Sequence, residues 1–250
     1  MSTVDGSTGA GGPTAVRPRT GSRTGPTPAA GVGVGVGVTM APRGLVDLRG
    51  EAGEPFAVEY PGDAVVVVSG LPGSGKSTLL RRWSAGAPSA ATVDPRAVHE
   101  ACAAVMPARL PYGVYRPWAR LEHVRLLRRS VSRGGPLLVH DCGSRAWMRR
   151  WLARSAARQG RELHLVLLDV GAATALAGQQ ARGRWAPRRA FARHRRGLDR
   201  LVASLTRHAR GDGATPTPEA ASVLLLDAAS RSRAVRARFG PGPSGTTPGA

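Results

Sequence analysis

The chain has 250 residues, 42% of them apolar, and a formal charge of +20, which leaves room for one domain of about 190 residues with a sizeable core. No run approaches the ~18 apolar residues of a membrane span, and Cys102 and Cys142, about forty positions apart, have neither zinc-site nor disulfide-framework spacing. So basic a chain would ordinarily be assigned a polyanionic partner, but Lys76 is the only lysine among 36 basic residues, and an arginine bias this uniform is a compositional habit that weakens the assignment.

Residues 1–43 are rich in Gly, Ser, Thr and Pro and include alternating Gly and Val from Gly31 to Val38. Glycine at every second position removes the packing on one face and raises the ordering entropy, so a disordered tail is expected there and again over 233–250. The folded domain is expected over 44–232. Its N-terminal side lacks the basic-then-apolar pattern of a signal peptide, which leads to the expectation of a soluble, cytoplasmic protein with both cysteines as free core thiols.

Phe56 to Tyr60 is predicted as an edge strand and 64–69 as the first core strand. Directly after it comes Gly70-Leu71-Pro72-Gly73-Ser74-Gly75-Lys76-Ser77-Thr78, followed by a helix-compatible Leu79 to Trp83. Strand, glycine loop and helix in this order form a phosphate-binding loop, whose backbone N–H groups and helix N-terminus attract a nucleotide's phosphates. Lys76 would reach the β- and γ-phosphates and the Ser77 hydroxyl would sit on Mg²⁺. An otherwise lysine-free chain keeps an ammonium where a compact, rotatable charge is needed.

A weak strand at about 90–93 leads to Asp94 and a helix from Pro95 to Met106. Asp94 has two readings, a general base that accepts a proton from an acceptor hydroxyl or the N-cap of the helix, and one carboxylate can serve both. Arg96 is then near enough to hold an anionic acceptor. The segment 107–118 has three prolines and is not expected to be helical throughout, and Tyr112, Tyr115 and Trp118 interleave there with Arg109 and Arg116. Those aromatics either stack a base or ring, or cover the sheet. Leu121 to Ser132 is an amphipathic helix.

Pro136 to Asp141 is a buried strand ending in an acid placed to hold Mg²⁺ with Ser77, while His140 faces the other side of the strand and is read as core. Ser144 caps a helix to Gln159, on which Trp147 and Trp151 are read as core. Leu163 to Leu168 is the next strand, ending at Asp169, and a helix over 172–181 follows. Arg182-Gly183-Arg184 then forms a hinged loop suited to a lid whose arginines stabilise charge on the transferred phosphoryl. A basic helix from Pro187 to about His208 is a solvated face or the wall of an anion channel, and Ser222 to Leu226 completes the core. Strands alternating with helices predict an α/β, doubly wound, mostly parallel five-stranded sheet with helices on both faces, its ligands beyond the carboxyl ends of the strands.

The phosphate loop, Asp94, the strand ending at Asp141, the strand to Asp169 and the helix ending Ala181-Arg182-Gly183-Arg184 together resemble the P-loop kinases grouped as AAA-type ATP-binding proteins. That group includes polynucleotide 5′-hydroxyl kinases, zeta-toxin-like kinases and chloramphenicol phosphotransferases. The resemblance implies a P-loop NTPase fold and transfer of the γ-phosphoryl of ATP, with Mg²⁺, to a hydroxyl of a small molecule or a nucleic acid. It also implies Asp94 as base, Arg96 as acceptor clamp and Arg182 or Arg184 as the lid arginine. The choice of ATP over GTP rests on this resemblance alone. The chain has no second Walker region or sensor element of a ring-forming motor, and nothing in it sets an oligomeric state. A polynucleotide kinase or nucleic-acid-linked ATPase, and a nucleotide-dependent regulatory protein without transfer, stay open beside the general phosphotransferase.

Overall fold

Long aliphatic runs decide the architecture. The strands Val65–Gly70 (β4), Leu163–Leu168 (β7) and Ser222–Leu226 (β8) are buried at every position, as strands covered on both faces must be. A computed structural model describes residues 37–107, 109–141, 146–181, 183 and 187–240. Within it these three strands join Gly44–Asp47 (β2), Ala91–Val93 (β5) and Leu137–His140 (β6) in one sheet of order β2-β8-β7-β4-β6-β5, parallel throughout. The fold is the expected α/β P-loop NTPase with helices on both faces. The sheet has six strands rather than the expected five, because the four residues of β2, too short to register as a periodic run, add to the outer edge of β8.

A second sheet was not legible in the pattern. Val38–Met40 (β1), Phe56–Pro61 (β3) and Ala234–Gly240 (β9) form a three-stranded parallel sheet of order β1-β3-β9. Two of its strands stand in segments expected to be tails, so packed structure reaches beyond both expected limits, 43 and 233. Pairing on β3 satisfies the backbone of β9 and buries Ala234 and Ala237 completely, a gain that composition alone does not reveal. The predicted edge strand at Phe56 is thus the centre of this small sheet.

The helices are Lys76–Gly86 (α1), Pro95–Val105 (α2), Tyr112–Ser132 (α3), Ala146–Ala157 (α4), Ala172–Gln180 (α5), Arg188–Ala209 (α6) and Ala228–Arg233 (α7). On α1, Trp83 is fully buried and its Nε1 donates to the carbonyl of Ala234, tying the phosphate-loop helix to β9 at 2.9 Å. Helix α3 starts at Tyr112, nine residues before the expected Leu121, with Pro117 inside it. Proline there forfeits one backbone hydrogen bond, but the same turns bring Tyr115, Trp118 and Ala119 onto Val98 and Cys102 of α2. Tertiary burial outweighs the local penalty. The predicted core placement of Trp147 also fails: it is 57% exposed, whereas Trp151 packs against the core.

Opposite the phosphate loop, buried Arg161 donates to the carbonyls of Asp63 and Val131 at 2.7 and 2.9 Å and to that of Gly135. One guanidinium thereby satisfies two loop carbonyls and one at the end of α3. No helix among the described residues is long and apolar enough to cross a membrane.

Candidate active site

The parallel sheet carries its chemistry along one edge. Strand β4 runs into the glycine loop, and each of the other five strands ends at or just before an aspartate: Asp47, Asp94, Asp141, Asp169 and Asp227. Three of these are occupied with structure. Arg49 binds Asp47 through Nη2 at 2.6 Å and Asp169 through Nη1 at 2.8 Å, and Asp227 accepts the backbone N–H of Gly50 at 2.8 Å while closing a capping box with Ser230. The backbone donors of Gly50 and Ser230 draw the Asp227 carboxyl down to about 2. Asp94 and Asp141 stand on the β6 and β5 side of the loop.

The loop has the shape phosphate needs. Gly70, Gly73 and Gly75 have φ of 151°, 93° and 91°, which residues with a Cβ rarely adopt. A Cβ on Gly73 would also collide with the carbonyl oxygen of Ala175, because α5 lies directly against the loop and Gln179 Nε2 donates to Pro72 O at 3.1 Å. Gly75 is the N-cap of α1 and supplies no side-chain cap, so the first-turn N–H groups keep the orientation that binds an anion. Lys76 is 4% exposed and its Nζ donates to the carbonyls of Gly70 and Leu71 at 2.9 and 2.7 Å. Ser74 is fully buried with an Oγ that has no hydrogen-bond partner among the described residues. This cradle fits a nucleotide's phosphates, with Gly70 through Thr78 as its walls.

Behind the loop stands a residue that sequence reasoning missed. Arg231 of α7 donates from Nη1 to Ser74 O at 2.6 Å and fills the space beside Gly75. Its own carbonyl is held by Arg82 of α1 at 2.5 Å. In a chain with so many arginines no sequence signal separates this one from the rest.

Beside the loop, three side chains from three elements meet. Asp94 Oδ1 lies 2.8 Å from His140 Nδ1, which lies 3.3 Å from Ser77 Oγ. Asp94 also accepts the backbone N–H of Arg96 at 2.9 Å as N-cap of α2, so the two sequence readings of this acid leave it one position. Burial pushes the Asp94 carboxyl up, but the hydrogen bond and charge of His140, the Arg96 N–H and the Ser77 hydroxyl outweigh it and hold the group well below the usual carboxylate range. His140, the last residue of β6 and half-buried, meets the phosphate loop and is not part of the core. The signal was in the sequence as a histidine on the last residue of a central strand.

Asp141 is 7% exposed just past β6, where its N–H donates to Val68 O at 3.0 Å. Above it, His123 of α3 has a buried Nδ1 with no hydrogen-bond partner among the described residues, and it borders a cavity of about 220 Å³ with His99, Arg120 and Trp147. Burial and then the nearby His140 draw the His123 imidazole down, with Asp141 and Asp94 opposing. Arg96 is turned elsewhere: its Nε donates to Glu100 at 2.7 Å in an exposed pair along α2. Arg182 and Arg184 lie outside the described residues, as do Cys142 and Ser144.

The donor set also fits Mg²⁺ accompanied by a nucleotide. Among the described residues no three His, Cys, Asp or Glu side chains gather as a metal cage. A hard cation that keeps several waters needs only one or two protein oxygens beside phosphate, and Ser77 with Asp94 or Asp141 offers these.

Residues 65–208 match the model of a family described as the AAA domain. No curated protein matches the chain in sequence. Among solved structures, the chain is similar to one from the PezAT chromosomal toxin-antitoxin system of Streptococcus pneumoniae, at 13% identity over 74% of this chain and 72% of that one, with a TM-score of 0.47. A gluconokinase from Sinorhizobium meliloti is 20% identical over 70% and 91% of the two chains, with a TM-score of 0.40. A tunicamycin resistance protein of Deinococcus radiodurans is 17% identical over 60% and 88%, with a TM-score of 0.39.

Proposed function

Since this chain belongs to the AAA domain family, in its P-loop kinase-like branch, we propose that it is an ATP-dependent phosphotransferase that moves the γ-phosphoryl group to a hydroxyl of its acceptor. The observation that carries this reading is the Asp94, His140 and Ser77 cluster beside the phosphate loop. An enzyme that only bound nucleotide would need the loop and Lys76; an ionised carboxylate held next to the loop hydroxyl adds a proton acceptor.

In the proposed reaction the acceptor oxygen attacks the γ-phosphorus, its proton passes to the Asp94 carboxylate, and the bond from phosphorus to the bridging oxygen breaks to release ADP. Lys76 and the loop N–H groups bind and orient the phosphates. Asp94 is a weak base at its lowered proton affinity, which suits a loose transition state in which the hydroxyl proton leaves late. Ser77 with Asp141 would hold Mg²⁺, which when bound neutralises charge on the phosphates. Arg182 and Arg184 are proposed as the lid arginines.

The test is to incubate the full chain with Mg²⁺ and γ-labelled ATP, offering 5′-hydroxyl oligonucleotides and a cell metabolite extract. Label on an organic acceptor supports the reading. Label found only as free phosphate, or retained on ATP, overturns it in favour of an ATPase or a nucleotide switch.

A further inference from the structure

Outside the phosphate loop, a groove of about 520 Å³ runs between α2 and α3, and Asp94 stands on its rim. That volume lies within the usual range for small-molecule sites. Its walls are apolar, with Ala101 and Val105 of α2 facing Trp118 and Leu126 of α3. Val105 is 68% exposed, far more than an aliphatic side chain needs to be on a helix that packs against a neighbour.

The charges of the groove run against those of the chain. The protein carries 36 basic and 16 acidic residues, yet the charged side chains lining this groove are Asp94, Glu122 and Arg129. Glu122 faces the groove closely enough that its charge, after burial, helps push the Cys102 thiol up. Arg125, which takes one Glu122 oxygen at 2.6 Å, is not part of the lining. An exposed pair of that kind contributes little, so the Glu122 charge still acts on the groove it lines. A locally acidic, apolar slot in a chain of charge +20 repels polyanions where the rest of the surface attracts them.

We propose that this groove holds the body of the phosphoryl acceptor, and that the acceptor is a small hydroxyl compound with an apolar, ring-sized body and no anionic group, neutral or carrying an amine toward Glu122. The proposal rests on Asp94 as the base of the transfer reaction, because Asp94 is the group shared by the groove and the phosphate loop. It takes the polynucleotide reading as the alternative to be excluded: a 5′-hydroxyl strand would bring its phosphates past two carboxylates.

The experiment uses three probes with a common demand for a hydroxyl: 2-amino-1-phenylethanol, its acidic counterpart mandelate, and a 5′-hydroxyl oligothymidylate. Binding to the full chain, loaded with Mg²⁺ and a non-hydrolysable ATP analogue, is read by saturation-transfer NMR, and transfer is read with γ-labelled ATP. The amino alcohol is expected to bind at least about tenfold more tightly than mandelate. Ala101→Trp, which fills the slot, should weaken it by a similar factor without changing nucleotide affinity. Glu122→Gln, a same-size change at a half-buried side chain, should erase most of the preference for the amine. Equal or tighter binding of mandelate or the oligonucleotide, binding unaffected by both substitutions, or no binding of any probe would each overturn the groove assignment. The two levels separate cleanly. Label on mandelate or on the oligonucleotide keeps the phosphotransferase reading and overturns the groove assignment, whereas amino alcohol that binds in the groove while no acceptor, the metabolite extract included, takes label overturns the phosphotransferase reading and leaves the groove a binding site only.

Discussion

His140 Nδ1 stands 2.8 Å from Asp94 Oδ1 and thereby joins the ends of two neighbouring strands, β5 and β6, across 46 residues of chain. The same nitrogen lies 3.3 Å from Ser77 Oγ. In a nucleophilic Ser-His-Asp arrangement the two partners occupy opposite ring nitrogens, so this cluster is not a proton relay to a serine nucleophile. It is a positioning device that sets a carboxylate beside the loop hydroxyl. Replacing His140 by Ala should lower kcat for phosphoryl transfer about tenfold or more while leaving the KM for ATP within about twofold, and His140→Asn should recover part of the loss by donating to Asp94. Steady-state kinetics on the three proteins decide it; an unchanged kcat would leave the contact incidental.

Lys76 is the loop's only ammonium, so Lys76→Ala should abolish the rise in melting temperature that Mg-ATP gives the native chain. Calorimetry with and without nucleotide checks this. Full stabilisation in the variant would mean that the loop does not hold the phosphates.

Asp94→Asn removes the proton acceptor but keeps an oxygen for the N–H of Arg96, so the α2 cap survives. Nucleotide affinity should stay near that of the parent and transfer should fall by about 10² or more. Turnover at the parent rate would reduce Asp94 to a helix cap.

Gly73→Ala places a methyl against the carbonyl of Ala175 at a φ of 93°. Left-handed strain alone costs about 1–2 kcal/mol, and the collision with α5 adds to it. The variant should melt several degrees lower and bind nucleotide weakly, as thermal scans and titration calorimetry can show. Gly213→Ala, with a similar φ of 85° and open space around it, is the control for strain without collision.

His164 on β7 is 1% exposed, with Nδ1 2.8 Å from Ser222 Oγ, and burial draws it from an ordinary 6.5 to about 4. The unfolded chain therefore binds the extra proton between pH 6.5 and 4, and stability falls as pH drops through that window, by at most about 1.4 kcal/mol per unit. Urea titrations at several pH values should show the slope, and His164→Asn should flatten it. An identical slope in the variant would assign the effect to another group.

The sequence determined what depends on near neighbours in the chain. The phosphate loop was legible because its glycine torsions, its Lys76 and its Ser77 are a local code, and β4, β6, β7 and β8 because an aliphatic run has few other fates. Tertiary structure decided what depends on partners distant in sequence. Strands β1 and β9 exist because β3 offers them a hydrogen-bonding edge, α3 keeps its proline because Val98 and Cys102 lie opposite, and β2 needs β8 beside it. The sequence set His140 at the carboxyl end of a buried strand, but only the order of the strands in the sheet, with β6 between β4 and β5, brought it to Ser77 and Asp94. Alternation along a strand is a property of the backbone, whereas what a face meets is set by the neighbours that packing brings to it.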